Sequence, residues 1–206
     1  MRATGALITE RDHCPLCDGE GFEMNGAIFF LSKYGSTAQY ANWIGEGTGL
    51  PVFDIKSANA DPSQYDFLVL GSPIIYYKVF NRKWVKKNLT SFENKPVIFF
   101  TVSGAPSGSK LDGWIADSLP AYFISKIKHV ALRGRQKPEE LTWWDRLMLK
   151  IGALKNKDPE ARKQELKGFD FMDKSSIEPI IKLVQQFQSG ETASFKQVNP
   201  SQGTPE

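Results

Sequence analysis

The segment Ala27-Ile28-Phe29-Phe30-Leu31, continuing through Ser32-Lys33-Tyr34-Gly35-Ser36-Thr37 into Ala38-Gln39-Tyr40-Ala41-Asn42-Trp43-Ile44, constrains the fold more than any other. An unbroken apolar run of this length reads as a strand buried on both faces. The loop behind it is rich in hydroxyls and holds one glycine. Ala41, Ile44 and their neighbours then recur at helical spacing. Strand, loop and helix start together form an anion site, because first-turn N–H groups and the positive end of the helix dipole face outward there. Ser32, Ser36 and Thr37 add side-chain donors, and Gly35 admits close backbone approach. A Ser/Thr cap on an ordinary α/β helix is the plainer alternative.

The rest of the chain alternates in the same manner. Leu50–Ile55, Phe67–Gly71, Val97–Thr101 and His129–Gly134 read as further strands. Between them, Phe80–Leu89 and Leu111–Ala121 read as helices, and a last helix starts near Ser175-Ser176-Ile177-Glu178-Pro179. The turn Ser72-Pro73 is expected to end the third strand. Strands alternating with helices indicate a parallel sheet covered on both faces, a doubly wound α/β domain. Three strand-end loops would then share one crevice. They are the anion loop, Gly71-Ser72-Pro73-Ile74-Ile75-Tyr76-Tyr77, and Thr101-Val102-Ser103-Gly104-Ala105-Pro106.

The first loop resembles the FMN phosphate loop of flavodoxins, through Ser32, Gly35, Ser36 and Thr37. Tyr34 stands where that pattern has a small hydroxyl residue. The resemblance is closer still to the flavodoxin-domain family that includes bacterial menaquinone-dependent protoporphyrinogen IX dehydrogenase. Gly71, Ile74 and Tyr76 match its Gly-x-x-Ile-x-Tyr loop, and Trp144-Asp145-Arg146-Leu147-Met148 its aromatic–Asp–Arg–apolar segment. The resemblance covers Met24 to about Gln188. It implies a five-stranded sheet of order 2-1-3-4-5 with a helical insert over about 135–167, and it implies FMN as cofactor. The implied cofactor residues are Ser32, Lys33, Tyr34, Gly35, Ser36 and Thr37, then Ser72, Ile74, Tyr76 and Tyr77, then Val102, Ser103 and Gly104. Tyr76, and after it Tyr77, would wall the flavin ring unless both pack on the following helix. Ser103 and Gly104 would present N–H groups to its pyrimidine edge. The implied activity is a two-electron oxidation of porphyrinogen with electrons passed to a quinone. A soluble electron carrier working with a redox partner protein is the alternative, and a flavin-free interaction module the third. Carrier flavodoxins are typically acidic, which bears on the second.

Composition narrows these choices. Lys and Arg number 26 against 23 Asp and Glu, a net charge of +3, too mild to indicate nucleic acid. Within 126–167, however, twelve Lys/Arg face six Asp/Glu. There Trp143, Trp144, Leu147, Met148, Ile151 and Leu154 gather toward one side of a helix, with Arg146 and Lys150 nearby. Such a helix suits an anionic membrane surface as a peripheral contact, or the carboxylates of a flat substrate. Docking of the tryptophans on the core is the alternative. There is no apolar run of the ~18–20 residues a membrane span needs, and the first residues hold no signal-peptide core. The expected location is therefore the cytoplasm, with the inner membrane face as a peripheral site. Residues 1–23 are expected to be a disordered leader and 189–206 a disordered tail, flanking a domain over 24–188. The Cys14-Pro15-Leu16-Cys17 pair in the leader supplies at most half of a zinc site, so no metal is expected. No Ser/His/Asp arrangement, HExxH or Walker loop is present, which suits chemistry carried by a cofactor.

Overall fold

The computed structural model describes residues 24–155 and 166–189. The leader with Cys14 and Cys17, the tail beyond Ser189 and part of the insert lie outside the described residues.

Strand β1 (Gly26–Phe30) is buried along its whole length. It pairs in parallel with β2 (Val52–Asp54) on one side and β3 (Phe67–Ile75) on the other. A two-residue strand, β4 (Lys78–Val79), folds back antiparallel on the end of β3. Strand β5 (Val97–Ser103) pairs with β3, and β6 (Ile127–Arg133) with β5, both in parallel. The order β2-β1-β3-β5-β6 is the doubly wound arrangement expected, with β4 as an added hairpin return.

Alternation along the strands builds two cores. Ile28, Phe30, Val69, Ile98 and Phe100 face one side. There they meet Tyr40, Ala41 and Ile44 of α1 (Ser36–Thr48). Ala27, Phe29, Leu68, Leu70 and Phe99 face the other. Val85 of α2 (Arg82–Lys87), Leu111 and Ile115 of α3 (Ser109–Ala116) and Phe123 of α4 (Ala121–Ile124) cover that side. Successive side chains of a strand point to opposite faces, so one apolar run serves both layers. Helix α5 (Trp143–Lys155) contributes none of its described side chains to either core. The closing helix α6 (Glu178–Gln188) returns to the α1 side with Ile180, Val184 and Phe187. Among the described residues no helix is long and apolar enough to cross a membrane.

Two expectations need correction, and one feature is new. Strand β3 does not stop at Ser72-Pro73, because both residues remain in register with Thr101 and Val102 of β5. The reversal falls instead on Tyr76 and Tyr77, at φ 51° and 61°. The segment from Leu111 to Ala121 is not one helix, since Pro120, in an extended conformation, separates α3 from α4. A ribbon of β7 (Arg135–Gln136) with β8 (Phe169–Asp170) was not anticipated, two residues a side being too short for any periodicity to show.

Candidate functional site

Loops from the carboxyl ends of β1, β3 and β5 meet over a cavity of about 760 Å³, within the range of small-molecule sites. The loop after β1 forms its floor. Gly35 precedes α1 at φ 86°, a conformation that suits glycine. No side chain caps the helix, so its first-turn amides are left for a ligand. Ser32 Oγ accepts from Gly35 N at 3.1 Å and fixes the loop. Thr37 is almost fully buried and lines the cavity beside Ser36.

The second loop divides its predicted residues. Ile74, Tyr76 and Tyr77 line the cavity. Ser72 does not: it is fully buried, and its Oγ accepts from Phe80 N and Asn81 N at 3.1 and 3.2 Å, pinning the return of β4. Tyr77 leans on Trp114 of α3 with centroids 5.0 Å apart. Left-handed φ at two adjacent tyrosines costs of order 1–3 kcal/mol each, a strain that concentrates at functional loops. In the third loop Val102, Ser103 and Gly104 all line the cavity. The ring of Phe169 lies against Gly104 so closely that a Cβ there would stand 2.4 Å from it. Phe169 in turn stacks on Phe171 at 5.0 Å, and Arg133 lies over Phe171 at 4.1 Å.

The insert lines the same cavity with Leu141, Met148 and Leu149, and ties to the strand-end loops through the carboxylate of Asp145. Asp145 is 7% exposed. It accepts hydrogen bonds from the Tyr34 and Tyr76 hydroxyls, one on each oxygen, and pairs with Lys33 Nζ at 2.5 Å. Lys33 sits between the two tyrosine rings, 5.4 and 6.0 Å from their centroids. Tyr34, which departs from the phosphate-loop pattern, thereby joins Lys33 in tying the loop to α5. Thr142 Oγ1 accepts from Asp145 N at 3.3 Å, so Asp145 also sits in the capped first turn of its helix.

Trp143 and Trp144 do not line the cavity and are 74% and 52% exposed, so they are not docked on the core. Arg146 is exposed and donates to the carbonyls of Pro138 and Glu139, at 3.2 and 3.3 Å. Lys150 is exposed as well. His129 lies within β6 with its Nε2 2.9 Å from Thr101 Oγ1, and burial pushes its imidazole below the ordinary value. Sequence reasoning passed over Asp145, Arg133, Arg135 and Phe169 as site residues. Asp145 did stand in the aromatic–Asp–Arg–apolar segment and in a Thr142-x-x-Asp145 helix-start pattern, but neither records a contact across the crevice.

Residues 27–163 match the profile of the flavodoxin domain. The chain belongs to the flavodoxin domain family. No curated protein matches it. Among solved structures, general stress protein 14 of Treponema denticola in complex with FMN is similar at 10% identity and a TM-score of 0.47. The match covers 80% of this chain and 99% of that one. The flavodoxin, WrbA-like protein of Agrobacterium tumefaciens is similar at 14% identity, TM-score 0.43, over 80% and 99% of the two chains. A flavoprotein of Lactobacillus acidophilus in complex with FMN matches at 13% identity, TM-score 0.40, over 53% and 92%. Within this flavodoxin domain the donor set fits a flavin mononucleotide. Uncapped α1 amides suit its phosphate, and Ile74, Tyr76 and Tyr77 offer an apolar wall.

Proposed function

We propose that this chain binds FMN in the crevice beyond β1, β3 and β5 and works as an electron-transfer flavoprotein of the flavodoxin type. The observation that carries the reading is the uncapped start of α1 opening into a cavity that all three strand-end loops share. Ser32, Gly35, Ser36 and Thr37 would hold the phosphate. Tyr76 and Tyr77 would flank the ring, and the Ser103-Gly104 backbone would meet its polar edge. Bound FMN supplies the hydride and single-electron chemistry. The chain's own part is to orient the ring, exclude water and hold charge near it.

One observation favours a second reading, an enzyme similar to protoporphyrinogen IX dehydrogenase. Helix α5 is tethered at the crevice mouth by Asp145 and turns exposed tryptophans outward. The cavity is lined by Lys33, Lys110, Arg133, Arg135 and Lys137 against Glu140 and Asp145. An excess of cations suits a substrate carrying carboxylates, such as a porphyrinogen. In this reading electrons pass to a quinone, and Trp143, Trp144, Arg146 and Lys150 meet substrate or an anionic membrane from the cytoplasmic side.

The purified protein, or apoprotein given FMN, is expected to show flavin absorption and to bind FMN far more tightly than riboflavin. Equal affinity for the two would remove the phosphate cradle. Anaerobic oxidation of a porphyrinogen with a menaquinone analogue then separates the readings: turnover selects the enzyme, and its absence in flavin-loaded protein leaves the carrier.

A further inference from the structure

We infer that Arg135 is a direct ligand of the FMN phosphate, a guanidinium set beside the α1 amides; this rests on the FMN reading above. The backbone of Arg135 is placed by two elements at once. In β7 it stands opposite Asp170 of β8, and its N–H lies 3.4 Å from Ser36 Oγ in the first turn of α1. Its side chain reaches the anion loop, with Nη2 3.9 Å from where a Cβ on Gly35 would stand. Its Nε is buried and has no hydrogen-bond partner.

Charge pairing around the cavity engages this group only weakly, through the smallest of the influences on Glu140. The two carboxylates in the lining are matched to lysines, Asp145 to Lys33 at 2.5 Å and Glu140 to Lys137 at 2.8 Å. Neither ion pair includes Arg135. A buried guanidinium N–H without a partner is costly, and an anion seated beside it removes that cost. The neighbouring helix start favours an anion at the same point through its amides and dipole. Arginine suits this position because its planar fork gives two parallel N–H donors to one phosphate, which an ammonium cannot do. The short β7–β8 ribbon thereby gains a role: it holds Arg135 against the loop at Gly35.

The test is a fluorescence titration of apoprotein with FMN and with riboflavin, over a range of salt, for wild type, Arg135→Gln and Arg135→Lys. Arg135→Gln is expected to weaken FMN by about tenfold to a hundredfold, the usual range for a charged hydrogen bond. Riboflavin affinity should stay unchanged, and the salt dependence of FMN binding should become shallower. Arg135→Lys keeps the charge, and its FMN affinity should fall between the other two. Should Arg135→Gln fail to fold, a selective loss of FMN in Arg135→Lys carries the result alone, and wild-type FMN affinity there overturns it. Equal losses for both flavins would make Arg135 a structural support and overturn the inference. Wild-type FMN affinity in Arg135→Gln would overturn it while leaving the cofactor reading in place. Wild type that binds neither flavin would remove both.

Discussion

Helices α1 and α5 are each thirteen residues long, and both start beside the same crevice, yet they are attached by opposite means. Helix α1 is held by burial: Tyr40, Ala41 and Ile44 have no exposed surface and pack on β1, β3 and β5. Helix α5 leaves Trp143 74%, Trp144 52% and Leu147 41% exposed, and its one buried residue among those described is Asp145. The difference separates two jobs. The phosphate cradle sits on a helix that the core fixes, so its amides are already in place before a ligand arrives. The outer wall hangs on a polar cluster whose partners come from two other loops, and polar attachment of this kind can be altered without touching the core.

The largest contrast should appear in stability. Ile44→Ala is expected to cost roughly 2–5 kcal/mol, the usual range for truncating a fully buried aliphatic side chain. Leu147→Ala, on a side chain that keeps 41% of its exposure, should cost under about 0.5 kcal/mol. Urea denaturation of both variants measures this. A Leu147→Ala loss matching that of Ile44→Ala would mean that α5 is part of the core after all.

How much of this was legible in the sequence follows the same division. The run Ala27 to Leu31 and the helix with Ala41 and Ile44 announce themselves, because burial on both strand faces demands consecutive apolar residues. The order of the parallel strands came with the family resemblance. The end of β3 misled, since Ser72-Pro73 has the composition of a turn while its ladder to β5 continues for both residues. What closes the strand is a pair of tyrosines at positive φ, residues that seldom adopt it. The Asp145 cluster was not legible either. Its members Lys33, Tyr34, Tyr76 and Asp145 come from three separate segments, and no local pattern records a hydrogen bond made across 111 positions. Tyr34 did stand out as a departure from the phosphate-loop pattern, and its hydroxyl is what reaches Asp145.

A smaller effect tests the polar attachment itself. Asp145→Asn removes the charge that Lys33 pairs with and halves the acceptors available to Tyr34 and Tyr76. Amide exchange over Trp143–Lys155 is expected to quicken by about tenfold to a hundredfold, in keeping with the loss of one charge-assisted hydrogen bond. Exchange in β1, β3 and β5 should not change. Lys33 is partly exposed, so solvent screening keeps the effect on global stability small. Uniform quickening through the sheet would show that Asp145 supports the fold as a whole.

The central claim, that the preformed start of α1 receives a cofactor phosphate, is tested most directly by amide exchange on apoprotein with and without saturating FMN. Marked slowing is expected at Ser36, Thr37 and Ala38, together with Ser103 and Gly104, and no change along α6, on the same core face but away from the cavity. Unchanged exchange at Ser36, Thr37 and Ala38 in protein shown to be FMN-loaded would contradict it.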